Sequence, residues 1–189
     1  MKYFALYKPY GVLSQFTGQE GKKTLAGLYN FPENVYPVGR LDMDSEGLLL
    51  LTDDKSLTEY LLNPENKHER EYYAEVEGIP TDEELRKLES GVIIEGKLTL
   101  PAKAKLLTNV KIEAREVAIR FRKNIPDSWI SLTLIEGRNR QVRKMTASIR
   151  YPTLRLIRIR IKNILLGDMK PGQVRELSNS EVKELKGCN

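Results

Sequence analysis

The stretch 39-GRLDMDSEGLLLLTDD-54 places an arginine and two aspartates directly in front of four consecutive leucines. A short continuous apolar run predicts a strand that is buried on both faces, as at the centre of a sheet. Two interpretations of the charged residues remain open at this point. Asp42 and Asp44 belong either to a turn before a structural strand or to an active site that has this strand as its floor. The residue pattern by itself favours the turn and does not distinguish the two aspartates.

An ionised carboxylate at the end of a buried strand needs a cationic partner, because burial penalises its charge. The segment 137-GRNRQVRK-144 is the candidate source of that partner. Its residues Arg140, Arg143 and Lys144 are spaced i, i+3 and i+4, which predicts that they share one face of a helix.

The composition is that of an ordinary globular protein, with 40% hydrophobic and 30% charged residues in a chain of 189. A chain of this length suits one domain, or two closely packed subdomains, with a core that needs no disulfides. The single cysteine, Cys188, excludes a disulfide within the chain and fits a reducing compartment. The sequence shows no secretory signal and no stretch near the roughly 20 apolar residues of a membrane span. We therefore predict a cytoplasmic protein.

The periodicity of apolar residues predicts an α+β fold with many short strands. Because regular helical crossovers are missing, we expect a mixed, mostly antiparallel central sheet with helices packed on it. Strands are expected over 2–7, 35–38, 48–52, 71–76, 98–107, 111–121, 129–135 and 157–162. Helices are expected over 25–30 after Thr24, after a capping box of Ser56 and Glu59, between Thr81 and Gly91, over 139–149, and after Ser180.

The residues that many enzyme classes need are scarce in this chain. His68 is the only histidine, and it lies in a polar stretch that does not favour a catalytic base. The sequence has no cluster of histidines and cysteines that would indicate a zinc site. It has no P-loop, and no GxGxxG loop follows a strand. The sequence therefore predicts no metal, nucleotide or redox cofactor and leaves carboxylate chemistry in a basic setting.

Positive charge is concentrated in the C-terminal part of the chain, although the net charge is only +5. Residues 138–175 contain eleven basic side chains and one acid, Asp168, which predicts a polyanionic partner, most simply nucleic acid. Arginine dominates this set, and its guanidinium group suits phosphates and stacked bases. Strict alternation in 157-IRIRIK-162 predicts that Arg158, Arg160 and Lys162 share one face of a strand and contact phosphates.

Four segments, in order along the chain, resemble the motifs of the RNA pseudouridine synthases, in the branch that modifies ribosomal RNA. The opening stretch resembles that branch's GRLDxDTxGLLLLTxD signature, with Ser45 in place of threonine. The other three are YKPYGVLSQFT (7–17), REYYAEVEG (70–78) and EGRNRQVRKM (136–145), which resemble the KPxG, KxYxV and basic-helix motifs. Arg70 in place of the usual lysine keeps the charge, as Ser45 keeps the hydroxyl. Together the motifs cover nearly the whole chain.

The resemblance implies the pseudouridine synthase catalytic fold. We expect a single catalytic domain over residues 1–189, or two packed subdomains. Many relatives carry a small RNA-binding domain of S4 type before the catalytic domain. Here the KPxG segment begins at Lys8, so no such domain is expected, and the chain most resembles the stand-alone, E-type members that act on large-subunit rRNA.

The resemblance also implies a role for particular residues. Asp42 would be the catalytic aspartate, Tyr72 would stack on the target base and assist proton removal, and Arg143 would pair with Asp42. Arg40 would contact the RNA backbone or fill the gap left by the extruded nucleotide. Asp44 has no catalytic counterpart and is interpreted as structural. The other residues assigned to RNA binding are Arg138, Arg140, Lys144, Arg158, Arg160 and Lys162.

The implied reaction converts one uridine of a structured RNA to pseudouridine, with 23S ribosomal RNA or its precursor as the expected substrate. The target nucleotide has to leave the base stack before its glycosidic bond is accessible. Asp42 has three routes: attack at C1′, addition at C6, or removal of the C2′ proton. The sequence does not choose between them. We expect no cofactor, no membrane contact and a monomer.

Two other functions fit parts of the sequence. An RNA-binding or ribosome-assembly factor without catalysis would have the same basic surface, but the joint presence of Asp42, Tyr72 and Arg143 argues against it. A glycoside or nucleoside hydrolase would also break a glycosidic bond. Such enzymes usually need a second, acidic carboxylate and no RNA-binding surface.

Overall fold

The computed structural model describes residues 1–18, 21–115, 117–119 and 125–187. It divides into two compact units, the first formed by Met1–His68 with Arg158–Asn189 and the second by Glu69–Ile157. The tail cysteine, Cys188, lies outside the described residues. Within the described part of the chain, no helix is both long and apolar enough to cross a membrane.

Within the described residues, the chain forms short strands and four α-helices. The N-terminal elements are β1 (Tyr3–Lys8), β2 (Val12–Leu13), β3 (Lys23–Thr24), β4 (Tyr36–Pro37), β5 (Glu46–Thr52) and α1 (Lys55–Leu62). The middle elements are β6 (Arg70–Glu77), α2 (Asp82–Ser90), β7 (Ile93–Ile94), β8 (Lys97–Leu98), β9 (Lys103–Leu107), β10 (Asp127–Leu134) and α3 (Gln141–Ser148). The C-terminal elements are β11 (Thr153–Ile161), β12 (Ile164–Leu165), β13 (Val174–Glu176) and α4 (Asn179–Leu185).

The first unit is built around strand β5, whose seven residues are all buried. Strand β1 pairs antiparallel with β5 from Tyr3 opposite Thr52 to Lys8 opposite Gly47, and β13 pairs with the other edge of β1. The core between sheet and loops contains Phe4, Leu6, Val12, Leu25, Val35, Leu49 and Leu51. The prediction of a central strand behind the two aspartates is therefore confirmed.

The second unit is an antiparallel set of strands with two helices packed on it. Strand β10 pairs with β6 on one side and with β9 on the other. The buried side chains of β6 and β10 form one core with those of the helices; its members include Ala74, Val76, Leu85, Leu88, Ile130, Leu132, Val142 and Met145. This arrangement confirms the predicted α+β fold with a mostly antiparallel sheet.

Helix α2 begins and ends where the sequence predicts, because one strong local signal marks each end. Thr81 and Glu84 form the predicted capping box of α2, in which each side chain accepts from the other's backbone N–H. Gly91 ends this helix with a φ of +97°, and a Cβ there would lie 2.6 Å from the Thr99 carbonyl oxygen. Glycine is therefore required at this position on both conformational and steric grounds.

Two other predicted caps are wrong, because a neighbouring residue takes the position. Asp54, rather than Ser56, caps α1: its carboxylate accepts from the Leu57 N–H at 3.1 Å and from the Ser56 hydroxyl at 2.6 Å. Ser178, rather than Ser180, caps α4 and forms a capping box with Glu181. In both cases the helix begins earlier, where the capping side chain reaches the free N–H groups of the first turn.

Three predicted elements differ from the structure. The helix over 25–30 is only a 3₁₀ turn at Leu25–Gly27, because the Thr24 hydroxyl donates to the Phe16 carbonyl instead of capping. The strand over 98–107 is divided into β8 and β9 around Pro101, which has no N–H to donate to a ladder. Of the strand predicted over 111–121, residues 111–115 and 117–119 form no strand, and the rest lies outside the described residues.

A buried carboxylate joins both ends of the chain within the first unit. Asp54 is 1% exposed, and its Oδ2 accepts from the Tyr3 hydroxyl at 2.8 Å and from the Lys186 ammonium at 2.8 Å. Burial alone would raise the pKa of the Asp54 carboxyl. The hydrogen bonds from Lys186, Ser56, Leu57 and Tyr3 outweigh it and hold that pKa well below its usual range.

Replacing Asp54 by alanine should lower the free energy of unfolding by about 2–4 kcal/mol at neutral pH, because a helix cap is lost and Lys186 loses its partner. Since the folded-state pKa is depressed, the carboxylate's contribution is present above the unfolded pKa of about 4 and declines as the pH falls below it. Urea unfolding of wild type and D54A, at neutral pH and at a pH below about 4, measures the effect. Asp53→Ala is the matched control and should cost less than about 1 kcal/mol; equal costs for both variants would contradict this account.

Candidate active site

The two predicted aspartates lie in a tight turn at the entrance to β5. The Ser45 N–H donates to the Asp42 carbonyl at 3.0 Å, which closes the turn directly before the strand. Asp42 and Asp44 are half-buried, whereas Arg40 is exposed. The carboxylate of Asp42 is thus carried by a short turn between the buried Leu41 and a fully buried strand, and this places it on a rigid support.

The segment after β1 packs against this turn. Lys8 ends β1 opposite Gly47 of β5 and is fully buried. Its ammonium group donates to the Val12 carbonyl at 2.8 Å and to the Pro9 carbonyl at 3.0 Å, which folds the intervening residues into a loop around it. At the tip of that loop, the Gly11 N–H donates to the Met43 carbonyl at 2.8 Å. The KPxG segment therefore holds the aspartate turn by direct hydrogen bonding.

The Lys8 ammonium is a buried positive charge that interacts electrostatically with both aspartates. Burial lowers the pKa of Lys8 to about 8, against the opposing effect of the carboxylates of Glu46, Asp44 and Asp42. Lys8 was not among the site residues predicted from the sequence. The available signal was a lysine at the end of an otherwise apolar strand, within the KPxG segment.

The basic face predicted for β11 is not a free surface. Arg158 is 4% exposed, and its Nε donates to the Leu48 carbonyl of β5 at 2.7 Å. Lys162 is half-buried and donates to the Leu185 carbonyl at 2.8 Å, at the end of α4. Arg160 is half-buried and donates to the Lys162 carbonyl at 2.9 Å. Burial removes Arg158 from the set expected to contact phosphates, because the central part of β11 is covered on both faces.

In the second unit, the structure places Tyr72 and Arg143 on neighbouring elements of one core. Tyr72 lies on β6 opposite Leu132 of β10 and is half-buried against the core that contains Val142 and Met145 of α3. Arg143 is also half-buried, and its Nη1 donates to the Thr153 carbonyl at 3.1 Å. Tyr72 therefore packs against the same core to which α3, the helix that carries Arg143, contributes Val142 and Met145.

The other basic residues near α3 have structural contacts of their own. Arg138 forms an ion pair with Glu136 at 3.1 Å and donates to the Leu98 carbonyl at 2.7 Å. Lys144 forms an ion pair with Glu95 at 2.7 Å, so both cations brace the β7–β8 hairpin. Arg140 is exposed and takes a left-handed backbone conformation at the N-cap of α3. It precedes the first turn, so the three residues spaced i, i+3 and i+4 do not form one helical face.

The described residues show no metal-binding constellation. Among residues 1–18, 21–115, 117–119 and 125–187, no three histidine, cysteine, aspartate or glutamate side chains are grouped to hold a metal ion. His68 is 8% exposed, its Nε2 lies 3.0 Å from the Tyr60 carbonyl oxygen, and its ring packs edge-on against the Tyr60 ring. The chemistry this arrangement offers is that of a carboxylate beside buried positive charge.

Comparison with known proteins identifies the class to which this fold and site belong. The family described as RNA pseudouridylate synthase matches residues 2–148, so the chain belongs to that family. Its activity is that of an isomerase that forms pseudouridine in RNA. This result confirms the family that the four sequence motifs predicted.

Individual proteins within this family are similar to the chain over most of its length. Ribosomal large subunit pseudouridine synthase E of Vibrio parahaemolyticus is 49% identical over 170 residues, which cover 90% of this chain and 71% of that protein. The protein of the same name from Xanthomonas campestris pv. campestris is 46% identical over 173 residues, which cover 90% and 92%. A crystal structure of a pseudouridylate synthase superimposes with a TM-score of 0.81 at 26% identity, over 97% of this chain and 73% of that one.

The buried Lys8 ammonium should leave a signature in the pH dependence of stability. Its folded-state pKa of about 8 lies below the value of 10.5 for a free lysine, so the folded protein releases this proton first. The free energy of unfolding should therefore rise with pH relative to a Lys8→Met variant, by roughly 2–3 kcal/mol between about pH 7 and about pH 10.5. Urea unfolding of both proteins across this range measures the difference. A constant difference would show that Lys8 titrates normally.

Proposed function

We propose that this protein converts one uridine of large-subunit ribosomal RNA, 23S rRNA or its precursor, to pseudouridine, with Asp42 as the catalytic carboxylate. The choice of RNA is supported by relatives at 49% and 46% identity that are named as ribosomal large subunit synthases and match 90% of the chain. The choice of residue is carried by one observation: Asp42 lies in a turn fixed to a fully buried strand, within electrostatic reach of a buried ammonium. A cytoplasmic location follows from such a substrate.

The reaction requires an ionised and well-aimed carboxylate. The N1–C1′ bond of the uridine breaks and a C5–C1′ bond forms within the same nucleoside, so the overall change needs no second substrate. Attack at C1′, addition at C6 and removal of the C2′ proton all begin with Asp42 as an anion. The positive charge of Lys8, which is buried in the same unit, interacts electrostatically with the Asp42 carboxylate.

The target nucleotide has to be flipped out of the RNA to reach Asp42. Tyr72 is proposed to stack on the extruded base, and such stacking contributes roughly 1–3 kcal/mol per base. Arg143 is proposed to pair with the Asp42 carboxylate, and Arg40, which is exposed, to contact the RNA backbone or fill the vacated space. The half-buried position of Tyr72 supports this role, because the side chain is packed against the core and still partly exposed.

The wider RNA-binding surface is proposed from the exposed and half-buried cations. Arg140 is exposed at the start of α3 and is proposed to contact a phosphate there. Arg138, Lys144, Arg160 and Lys162 are half-buried and keep contacts within the fold. They remain proposed RNA contacts that would have to combine both roles.

The substrate proposal is tested by mapping pseudouridines in total RNA from cells with and without the gene. We expect one large-subunit rRNA position to lose its pseudouridine in the deletion strain and to regain it with a plasmid copy. Loss from small-subunit rRNA or tRNA alone would overturn the substrate assignment, while leaving the isomerase activity in place. Recovery of free uracil instead of pseudouridine would indicate a hydrolase.

Asp42→Asn should abolish pseudouridine formation, because the amide is neither an anion nor a base. Asp44→Asn is the matched control: it lies in the same turn, is equally half-buried and also neighbours Lys8. We expect D44N to stay within about tenfold of wild type in single-turnover assays, whereas D42N falls by at least about 10³-fold, in the range of lost nucleophilic or acid–base catalysis. Arg143→Ala should slow the same step. An active D42N protein would refute the catalytic assignment.

A further inference from the structure

A buried serine forms a two-way hydrogen-bonded link to the residue before Asp42. The Ser14 hydroxyl donates to the Leu41 carbonyl at 2.8 Å, and the Leu41 N–H donates back to the same hydroxyl at 3.0 Å. Ser14 is 5% exposed and Leu41 is 7% exposed, so water does not compete for these bonds. One side chain thus satisfies both backbone groups of Leu41, as a paired strand would do.

The segment after β1 also holds the aspartate turn at a second place. On the other side of Asp42, the Gly11 N–H donates to the Met43 carbonyl at 2.8 Å. The Asp42 carbonyl itself accepts from the Ser45 N–H at 3.0 Å. The backbone is therefore held at the residue before Asp42, at Asp42 and at the residue after it, and the direction of its Cα–Cβ bond is set by these contacts.

Reacting groups that are held in a productive geometry lower the barrier without new chemistry. A displacement of about 1 Å can cost about 10²-fold in rate even when the altered residue lies away from the reacting atoms. Among the residues that the structure describes, the hydrogen-bond partner of the Ser14 hydroxyl is the Leu41 backbone and not a proposed catalytic side chain. Any effect that it has on the reaction must therefore pass through the position of the turn.

We propose that Ser14 is a positioning residue for the isomerisation, acting through the Leu41 backbone to aim the Asp42 carboxylate at the target nucleoside. This inference rests on the proposed catalytic role of Asp42. Serine suits the position because its hydroxyl is donor and acceptor at once, whereas alanine would leave a buried N–H and a buried C=O unpaired. Threonine keeps both capacities and adds one methyl group.

The test compares three variants with wild type for the single-turnover rate of pseudouridine formation, RNA affinity and the urea unfolding midpoint. Ser14→Ala should lower the rate constant about 10- to 100-fold and leave RNA affinity within about threefold, because the turn shifts while the RNA surface is retained. Ser14→Thr should restore most of the rate. Thr24→Val is the matched control, since it removes a side-chain hydrogen bond of the same segment, to the Phe16 carbonyl at 3.2 Å, and should leave the rate near wild type.

The outcomes separate this inference from the proposed function. If Asp42→Asn is inactive while Ser14→Ala retains the wild-type rate, Ser14 has no positioning role and the catalytic assignment stands. If Asp42→Asn is active, the catalytic assignment fails whatever Ser14 does. Equal losses in Ser14→Ala and Thr24→Val, or a loss confined to RNA affinity, would also overturn the positioning role. Should Ser14→Ala not fold, Ser14→Cys with its weak thiol donor replaces it, and an unchanged rate in that variant refutes the inference.

Discussion

The burial of strand β5 on both faces is the constraint on which the first unit depends. All seven of its residues are buried, and the turn directly before the strand carries Asp42 and Asp44. That turn is hydrogen-bonded to the segment after β1 through Gly11, and its aspartates interact electrostatically with the buried Lys8 ammonium. The burial of β5 therefore fixes the position of the turn that carries Asp42.

Several charged side chains are buried near this turn, and their position suggests a role in function rather than in stability. Lys8, Glu46 and Arg158 are all nearly or fully buried in one unit. Apolar residues of similar volume are often as stable as buried ion pairs or more so, because desolvation offsets the attraction between the charges. Buried charges of this kind concentrate at functional sites, where they set the ionisation of a reacting group. Their position at the Asp42 end of β5 agrees with the proposal that the site is built around this residue.

Prediction from sequence succeeded where the signal was local and failed where two local signals competed or a distant partner decided. The capping box of Thr81 and Glu84 lies within one turn, and it formed as predicted. Asp54 and Ser56 both suit an N-cap, and the choice of Asp54 depends on Tyr3 and Lys186, which are distant in sequence. Alternation in β11 predicted one exposed basic face, but Arg158 is buried against β5.

The sequence by itself determined the family and the α+β class, because ordered motifs and apolar periodicity are local properties of the chain; through the family motif it also predicted Asp42 as the catalytic aspartate. Only the tertiary structure decided what surrounds that aspartate. Lys8 reaches it through the pairing of β1 with β5, and Ser14 through two hydrogen bonds to Leu41. Such contacts join segments far apart in the chain, and their energies depend on burial and on donor–acceptor geometry. No local pattern of residue types records either quantity.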